Sequence, residues 1–565
     1  VLGILSLLTD VGFHLPIYFQ PVFIGIYIFA VIAGFIGTIV RYLFKQRLPR
    51  LKVLLIDGIS YSIIVAIIYN HILDTDLHAN TILNDNLWIR ISVVFTFIRE
   101  FSEKKIKYSR AMLNPAQLFI LSFMGIILLG TFLLLLPKST IAGIGLLDAL
   151  FTSTSAVCIT GLVVVDTGTH FTSFGQFIIM MLMQIGGLGI LTFASYFSYF
   201  FKGGATYENQ LALSDITSSN KIGEVFSTLK YIILITAIIE LFAATLIFLS
   251  VSSTHFNGIM EHVFFAMFHA VSAFCNGGFS TLGNSLYDQT FRFNYAFQLV
   301  IIITFILGGL GFPIVVNLLK YIKYQIFKLF SVAKSSRIYK PWVLNLNSRI
   351  ALFTTLVLVL VGFLFMLINE YNNTLAEHNG FGKIVTALFS ATTPRSGGFN
   401  TVDIASLHFS SLMLVILLMW IGASPISTGG GIKTTTFAVA TLNILSLAKG
   451  KTRIELFRRE IADISVRRAF AVISLSLVAI GVGILFLTKS DPDKDLLSIA
   501  FECFSAYCTV GLSLGITAHL SDYGKLVIMA LMFIGRVSML SIMIAIFNKV
   551  KHKNYRYPSE EIIIN

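Results

Sequence analysis

Long apolar runs separated by short polar connectors fill this 565-residue chain. Runs of about 20 apolar residues, enough for a helix to cross roughly 30 Å of hydrocarbon, lie near 16–40, 53–72, 87–101, 114–136, 172–201, 224–251, 293–319, 348–370, 408–446, 467–488 and 523–548. Four shorter apolar stretches, near 146–161, 261–278, 383–398 and 498–511, lie between spans and are too short to cross. Backbone polar groups at membrane depth need protein or a water-filled cavity beside them. A short stretch of this kind therefore reads as a re-entrant loop. The pattern predicts an all-α polytopic membrane protein.

The connectors set the orientation. Segment 41–52 carries Arg41, Lys45, Arg47, Arg50 and Lys52 without an acid, and the next connector carries Asp74, Asp76 and Asp85 without a base. Basic connectors recur at 103–110, 320–349, 449–468 and 549–556. Positive charge stays on the cytoplasmic side, so the short stretches dip in from outside and the C-terminus is cytoplasmic. The same rule accounts for the net charge of +13 without nucleic acid as a partner. Composition agrees: 56% of residues are hydrophobic and 12% charged, about half the charge of a soluble domain. Position 1 is Val, and no basic stretch precedes the first apolar segment, so no signal peptide is recognised. Residues 1–8 read either as the outer end of a span that begins earlier or as a surface helix at the outer leaflet.

The four short stretches repeat one pattern: FTSTSAVCITGL (151–162), FHAVSAFCNGGF (268–279), LFSATTPRSGGF (388–399) and FECFSAYCTVGL (501–512). They align without gaps on Gly161, Gly278, Gly398 and Gly511. Ten residues before each glycine stands Phe151, Phe268, Leu388 or Phe501; six before stands Ser155, Ser272, Thr392 or Ser505. A cation leaving water needs oxygens in place of its hydration shell, and a ring of backbone carbonyls supplies them without net charge. Aiming carbonyls at one axis takes backbone angles that glycine tolerates. The partly negative C-terminal end of each preceding half-helix favours a cation. The expectation is four pseudo-symmetric helix–pore loop–helix repeats around one central pore, plus extra N-terminal helices. The filter falls to Thr160, Gly161, Asn276, Gly277, Gly278, Gly397, Gly398, Thr509, Val510 and Gly511. A cation is expected on the carbonyls of Gly161, Gly278, Gly398 and Gly511. The predicted divisions are 1–110, 111–202, 222–325, 345–448, 465–550 and a cytoplasmic tail at 551–565.

At these residues the chain resembles the superfamily of potassium transporters that includes bacterial Trk and Ktr and the plant high-affinity transporters. TSAVCITGL, AFCNGGFST, TTPRSGGFNT and SAYCTVGLS resemble its four filter loops, STGGGIKTTT (427–436) its intramembrane gate loop, and FIGRV (533–537) the arginine-bearing part of its last span. The resemblance implies K⁺ uptake across the bacterial cytoplasmic membrane by a homodimer with one pore per chain. It also implies a cytosolic nucleotide-binding subunit of the RCK type as regulator, and no bound cofactor besides the transported ion. Family members with serine at the first filter glycine tend to pass Na⁺, so Gly161 points to K⁺. The filter loops lack the strict TVGYG of potassium channels, which keeps a Na⁺-permeable pathway as the alternative. The family commonly has glycine after its arginine, and here Ser538 follows Val537.

Three glycines, Gly429, Gly430 and Gly431, interrupt the long second span of the third repeat, and glycine runs hold helix poorly. With Lys433 and Thr434–Thr436 they read as a loop that obstructs the inner vestibule. Arg536, inside the last span, reads as a holder of that loop or an electrostatic barrier; a structural arginine bonded to carbonyls is the alternative. Arg395, beside the third filter loop, is expected to pair with Glu502. Gly186, Gly187 and Gly189, and Gly308, Gly309 and Gly311, read first as close helix contacts and second as points of bending. No nucleophile–base pair, metal spacing or cofactor fingerprint appears, so the chain does not read as an enzyme.

Overall fold

The computed structural model describes residues 2–13, 16–44, 86–103, 115–188, 225–330 and 344–546, together with Gly58 and Ser62. Apart from those two residues the expected span at 53–72 lies outside the described residues, as do the inner end of 172–201 with Gly189 and the tail at 551–565. Apart from one small hairpin, Glu455–Leu456 with Arg459–Glu460, the regular structure among them is helical.

Among the described residues three helices come first: α1 (Leu2–Gly12), α2 (Gln20–Phe44) and α3 (Asn86–Glu103). Tyr27, Val31, Ile89 and Val93 form their apolar contact. Asp10 ties them together, taking an ion pair from Arg90 at 2.9 Å and a hydrogen bond from Tyr27 at 2.8 Å. Lys138 of the first repeat donates to the Asp10 carbonyl at 3.1 Å, which anchors this bundle to the rest.

Four units of one design follow. The first holds α4 (Pro115–Leu134), the half-helix α5 (Leu146–Cys158) and α6 (Ser173–Gly187). The second holds α7 (Val225–Ser250), α8 (Ile259–Cys275), α9 (Tyr295–Leu310) and α10 (Phe312–Phe330). The third holds α11 (Leu346–Asn369), α12 (Gly380–Thr392), α13 (Phe409–Trp420) and α14 (Thr434–Ala448). The fourth holds α15 (Asp463–Ser490), α16 (Leu496–Tyr507), α17 (Asp522–Val537) and α18 (Met539–Ile546). Side chains fix where several helices start. Thr172, Asn294 and Ser521 accept from the backbone N–H groups of Gly175, Phe297 and Gly524, capping the returning helix, the one after the half-helix, in units one, two and four.

The units close into a ring. Each returning helix packs on the half-helix of the next unit: α6 on α8, α9 on α12, α13 on α16, and α17 back on α5. An ion pair of 2.7 Å between Lys525 of α17 and Asp148 of α5 fastens the last junction. The half-helices form the core, with Phe151, Phe268 and Phe501 fully buried. In the third unit the buried ring is Phe389, not Leu388, because that half-helix sits one residue out of step with the gap-free alignment.

The returning helices differ from the continuous spans expected at 293–319 and 523–548. The α9–α10 pair bends by 106° at Gly311, and α17 ends at Ser538. Both residues have left-handed backbone, φ 77° and 73°. At Gly311 the cause is steric, since residues 426–427 run into the bend and a Cβ would meet the Ile426 carbonyl at 2.6 Å. The second reading of these glycines, bending, therefore holds for Gly311. Gly311→Ala is expected to cost about 1–3 kcal/mol, read as a lower thermal midpoint in detergent. Gly125→Ala, where a Cβ meets nothing within 4 Å, is expected to be neutral or stabilising. Equal midpoints for wild type and Gly311→Ala would contradict the account of the bend.

Candidate ion filter and gate

Each half-helix ends just before its loop, and the loops share one backbone. Left-handed residues recur two before and at the anchor glycine: Ile159 and Gly161, Asn276 and Gly278, Ser396 and Gly398, Thr509 and Gly511. Three loops close by the same bond, from the residue before the glycine to the carbonyl five residues back. These are Thr160 to Ser155 at 2.8 Å, Gly277 to Ser272 at 2.7 Å and Val510 to Ser505 at 2.9 Å. The third closes one residue tighter, Gly397 to Thr393 at 2.7 Å.

The expected hydroxyls hold these loops, with one correction. The Ser155 and Ser505 hydroxyls accept from the N–H groups of Gly161 and Gly511, each at 3.1 Å, and Ser272 donates to the Phe279 carbonyl at 2.7 Å. In the third loop Thr393, not Thr392, does this, donating to the Phe399 carbonyl at 2.6 Å. Thr392 bonds back to its own helix. Two adjacent threonines, Thr392 and Thr393, made the register ambiguous in the sequence.

The four anchor glycines meet. A Cβ on Gly161 would sit 2.5 Å from the Gly277 carbonyl, one on Gly278 2.8 Å from Gly398 Cα, and one on Gly398 2.5 Å from the Val510 carbonyl. One on Gly511 would strike the Thr160 carbonyl. The loops thus adjoin in the order one, two, three, four, one. Left-handed backbone and backbone-to-backbone contact both demand glycine here. Beside this ring, buried and without protein partners, lie the Thr160, Ser396 and Thr509 hydroxyls and both polar atoms of the Asn276 amide.

Residues 421–433 form an irregular hairpin against the half-helix side of the ring. Ile432 donates to the Trp420 carbonyl at 3.2 Å, Thr434 to Ala423 at 3.1 Å, and Ser424 to the Gly309 carbonyl at 3.0 Å. Cβ atoms added to Gly429 and Gly430 would run into Ser396 and Thr509, so the hairpin touches two of the unpartnered side chains directly. The Lys433 ammonium turns back on the Gly429 carbonyl at 2.5 Å. The Thr434 hydroxyl meets Ser424 at 3.4 Å, and Thr434–Thr436 form the first turn of α14 rather than part of the loop.

Arg536 links three units. One guanidinium nitrogen donates to the Thr428 carbonyl in the hairpin, and another to the Gly186 carbonyl at 2.6 Å. Gly186, Gly308 and Gly535 let their helices ride on the carbonyls of Val157, Phe274 and Tyr507. These three carbonyls lie four residues before the anchor glycine in their units. This is the close packing expected of Gly186 and Gly308; Gly187 does the same against Cys275. Gly535 escaped notice because no second glycine adjoins it. The Gln184–Glu240 contact, 3.0 Å across units one and two, escaped because its members lie 56 positions apart.

Arg395 and Glu502 do not pair. Arg395 leaves α12 toward α11 and the hairpin, donating to Thr355 and to the Gly422 carbonyl at 3.3 Å. Glu502 lies mid-way along α16 and faces the turn after its own loop, where Ser513 and Thr517 donate to it. Arg395 sits in the turn after α12 and Glu502 within α16, and each faces its own set of neighbours.

Comparison with known proteins fits this architecture. The TrkH family model, described as cation transport protein, matches residues 83–556. The chain belongs to that family. The Potassium/sodium uptake protein NtpJ of Enterococcus hirae is 36% identical over 467 residues, covering 81% of this chain and 99% of NtpJ. The Ktr system potassium uptake protein B of Bacillus subtilis is 37% identical over 462 residues, covering 81% and 98%. The crystal structure of the potassium transporter TrkH from Vibrio parahaemolyticus superposes with a TM-score of 0.61 at 19% identity, over 87% of this chain and 97% of that one, a likeness of fold. Residues 1–82, which include α1 and α2, precede the matched region.

An Arg395→Glu, Glu502→Arg double variant is expected to be no better folded or more active than the worse single variant. A coupling above about 0.5 kcal/mol in thermal unfolding would show that the two charges do meet.

Proposed function

We propose that this chain is the membrane-spanning subunit of a potassium-uptake system and passes K⁺ along the axis where the four glycine loops meet. The observation that carries the reading is the ring itself. Four backbone loops converge with left-handed residues at matched positions, and one buried, unpartnered polar side chain per loop stands beside them. A buried oxygen without a partner costs about 1–3 kcal/mol, and a passing cation with its remaining water supplies that partner. The carbonyls of Gly161, Gly278, Gly398 and Gly511 replace hydration oxygens. The C-terminal ends of α5, α8, α12 and α16 add a negative field.

The hairpin at 421–433 is the gate, with Gly429, Gly430 and Gly431 pressed under the ring and Lys433 closing it on itself. Arg536 is the latch, because one side chain holds both the hairpin and the first unit's returning helix. The functional and structural readings of this arginine coincide: it is bonded to carbonyls, and one of them belongs to the gate. Opening frees the Thr428 carbonyl. The proposed units are the repeats at 111–202, 222–325, 345–448 and 465–550.

Two chains assemble as a homodimer in the bacterial cytoplasmic membrane, under a cytosolic RCK-type nucleotide-binding subunit. Support comes from the bacterial source of these relatives and from the word system in the name of the Bacillus protein. The second reading is a Na⁺-permeable pathway on the same fold, and sodium in the name of the Enterococcus protein favours keeping it.

Uptake of ⁸⁶Rb⁺ into liposomes holding the purified chain tests the reading. Inhibition by K⁺ far below the Na⁺ concentration needed, with the gap narrowed by Gly161→Ser, is expected. Equal inhibition by the two ions would establish the Na⁺-permeable alternative. Arg536→Gln, which removes a charged bond to the gate, is expected to raise uptake by about tenfold or more. An unchanged rate would remove the latch from the mechanism.

A further inference from the structure

The four loops are not equivalent on their outward-leading side. Loops two and four share a contact that loops one and three lack. Nine residues before Gly278 stands His269, and nine before Gly511 stands Glu502; both are fully buried. Each reaches the serine two residues past its glycine. His269 Nε2 meets the Ser280 hydroxyl at 2.9 Å, and the Ser513 hydroxyl donates to Glu502. In both loops that serine oxygen also accepts the backbone N–H four residues past the glycine: Leu282 at 3.0 Å and Gly515 at 2.9 Å.

The pore-helix residue is itself held. His269 Nδ1 lies 2.9 Å from the Phe265 carbonyl, an acceptor only, so Nδ1 carries a proton and Nε2 of the neutral ring takes the serine's. Thr517 adds a second donor to Glu502 at 2.9 Å. Three residues along each half-helix, on the same face, Ser272 and Ser505 grip the loop on either side of the glycine's peptide. Loops two and four are therefore clamped at two heights.

The other two loops carry short side chains at the matching place. Thr152 turns back to the Asp148 carbonyl at 2.9 Å, and in the shifted third unit the position falls on Ser390. Past their glycines stand Val163, which has no hydroxyl, and Asn400, whose amide reaches Val402. Because the loops adjoin in the order one, two, three, four, the two braced loops face each other across the axis.

Resting on the filter reading above, we propose that His269 and Glu502 are positioning residues for ion discrimination. Each stiffens the outer end of its loop through Ser280 or Ser513, so carbonyl spacing across one diagonal of the ring is fixed and the other diagonal is left more compliant. A cation of the wrong size is resisted on the braced diagonal. Neither side chain touches the ion.

The test is ⁸⁶Rb⁺ uptake into liposomes, scored as the ratio of Na⁺ to K⁺ concentrations giving half inhibition. Ser280→Ala and Ser513→Ala are each expected to lower that ratio about fivefold, the worth of one hydrogen bond, and their double variant to multiply the two effects. Ser513→Thr, which keeps the hydroxyl, and Val163→Ala, at the matching place in the first loop, are expected to keep the wild-type ratio. His269→Thr, copying the first unit, checks the second brace from its other side and is expected to match Ser280→Ala. Serine variants that change total uptake but leave the ratio intact would overturn the proposal, as would an equal fall in Val163→Ala. Wild type without a K⁺ preference, or Gly161→Ser without effect on the ratio, would instead remove the filter reading on which it rests.

Discussion

The described helices of the four units are arranged around a contact that side chains would forbid. Four loops bring backbone against backbone at Gly161, Gly278, Gly398 and Gly511, with φ of 87°, 68°, 75° and 92°. No other residue type meets both demands, left-handed backbone and van der Waals contact without a Cβ. Holding four such loops together takes a ring of supports. The half-helices supply it, each locked between its own unit and the returning helix of the unit before. Glycines on the returning helices extend the same device outward, letting α6, α9 and α17 lie directly on half-helix carbonyls.

The proposed gate depends on that closeness. The hairpin fits beneath the ring because α9 breaks at Gly311 and opens room for residues 426–427. The break frees helix carbonyls, and Ser424 takes that of Gly309. Arg536 then joins the hairpin to the first unit across the ring. A cation inside a membrane protein is costly unless paired or bonded to carbonyls. Here one carbonyl belongs to the hairpin and the other to α6, so in the proposed mechanism departure of the hairpin is coupled to the packing of units one, three and four.

The sequence revealed the parts of this fold that composition and repetition encode. Apolar runs near 20 residues located the long helices α2, α7, α11 and α15, and the glycine register located the four loops. Gly429–Gly431 located the hairpin, because three adjacent glycines leave a trace that does not depend on tertiary structure. What failed depended on which face a residue presents. Arg395 and Glu502 have opposite charge and both lie near the glycine loops, yet one sits in a turn and the other on a half-helix, and they meet different neighbours. The third unit lost one residue between half-helix and glycine, and the pair Thr392–Thr393 hid the loss. The break at Gly311 was legible only as one of two readings. The break at Ser538 left no glycine to read, though the departure from the family pattern falls at that residue. The braces at His269 and Glu502 were invisible for another reason. A histidine and a glutamate share no pattern until structure sets each opposite a serine at the same offset.

The central claim is that cations travel where the four glycine loops meet. The most direct measurement is anomalous diffraction from crystals of the full chain grown in Rb⁺. The account predicts anomalous density on the axis bounded by residues 159–161, 276–278, 396–398 and 509–511, weakened when Na⁺ replaces Rb⁺. Density confined to other parts of the molecule, with that axis empty in Rb⁺, would contradict it.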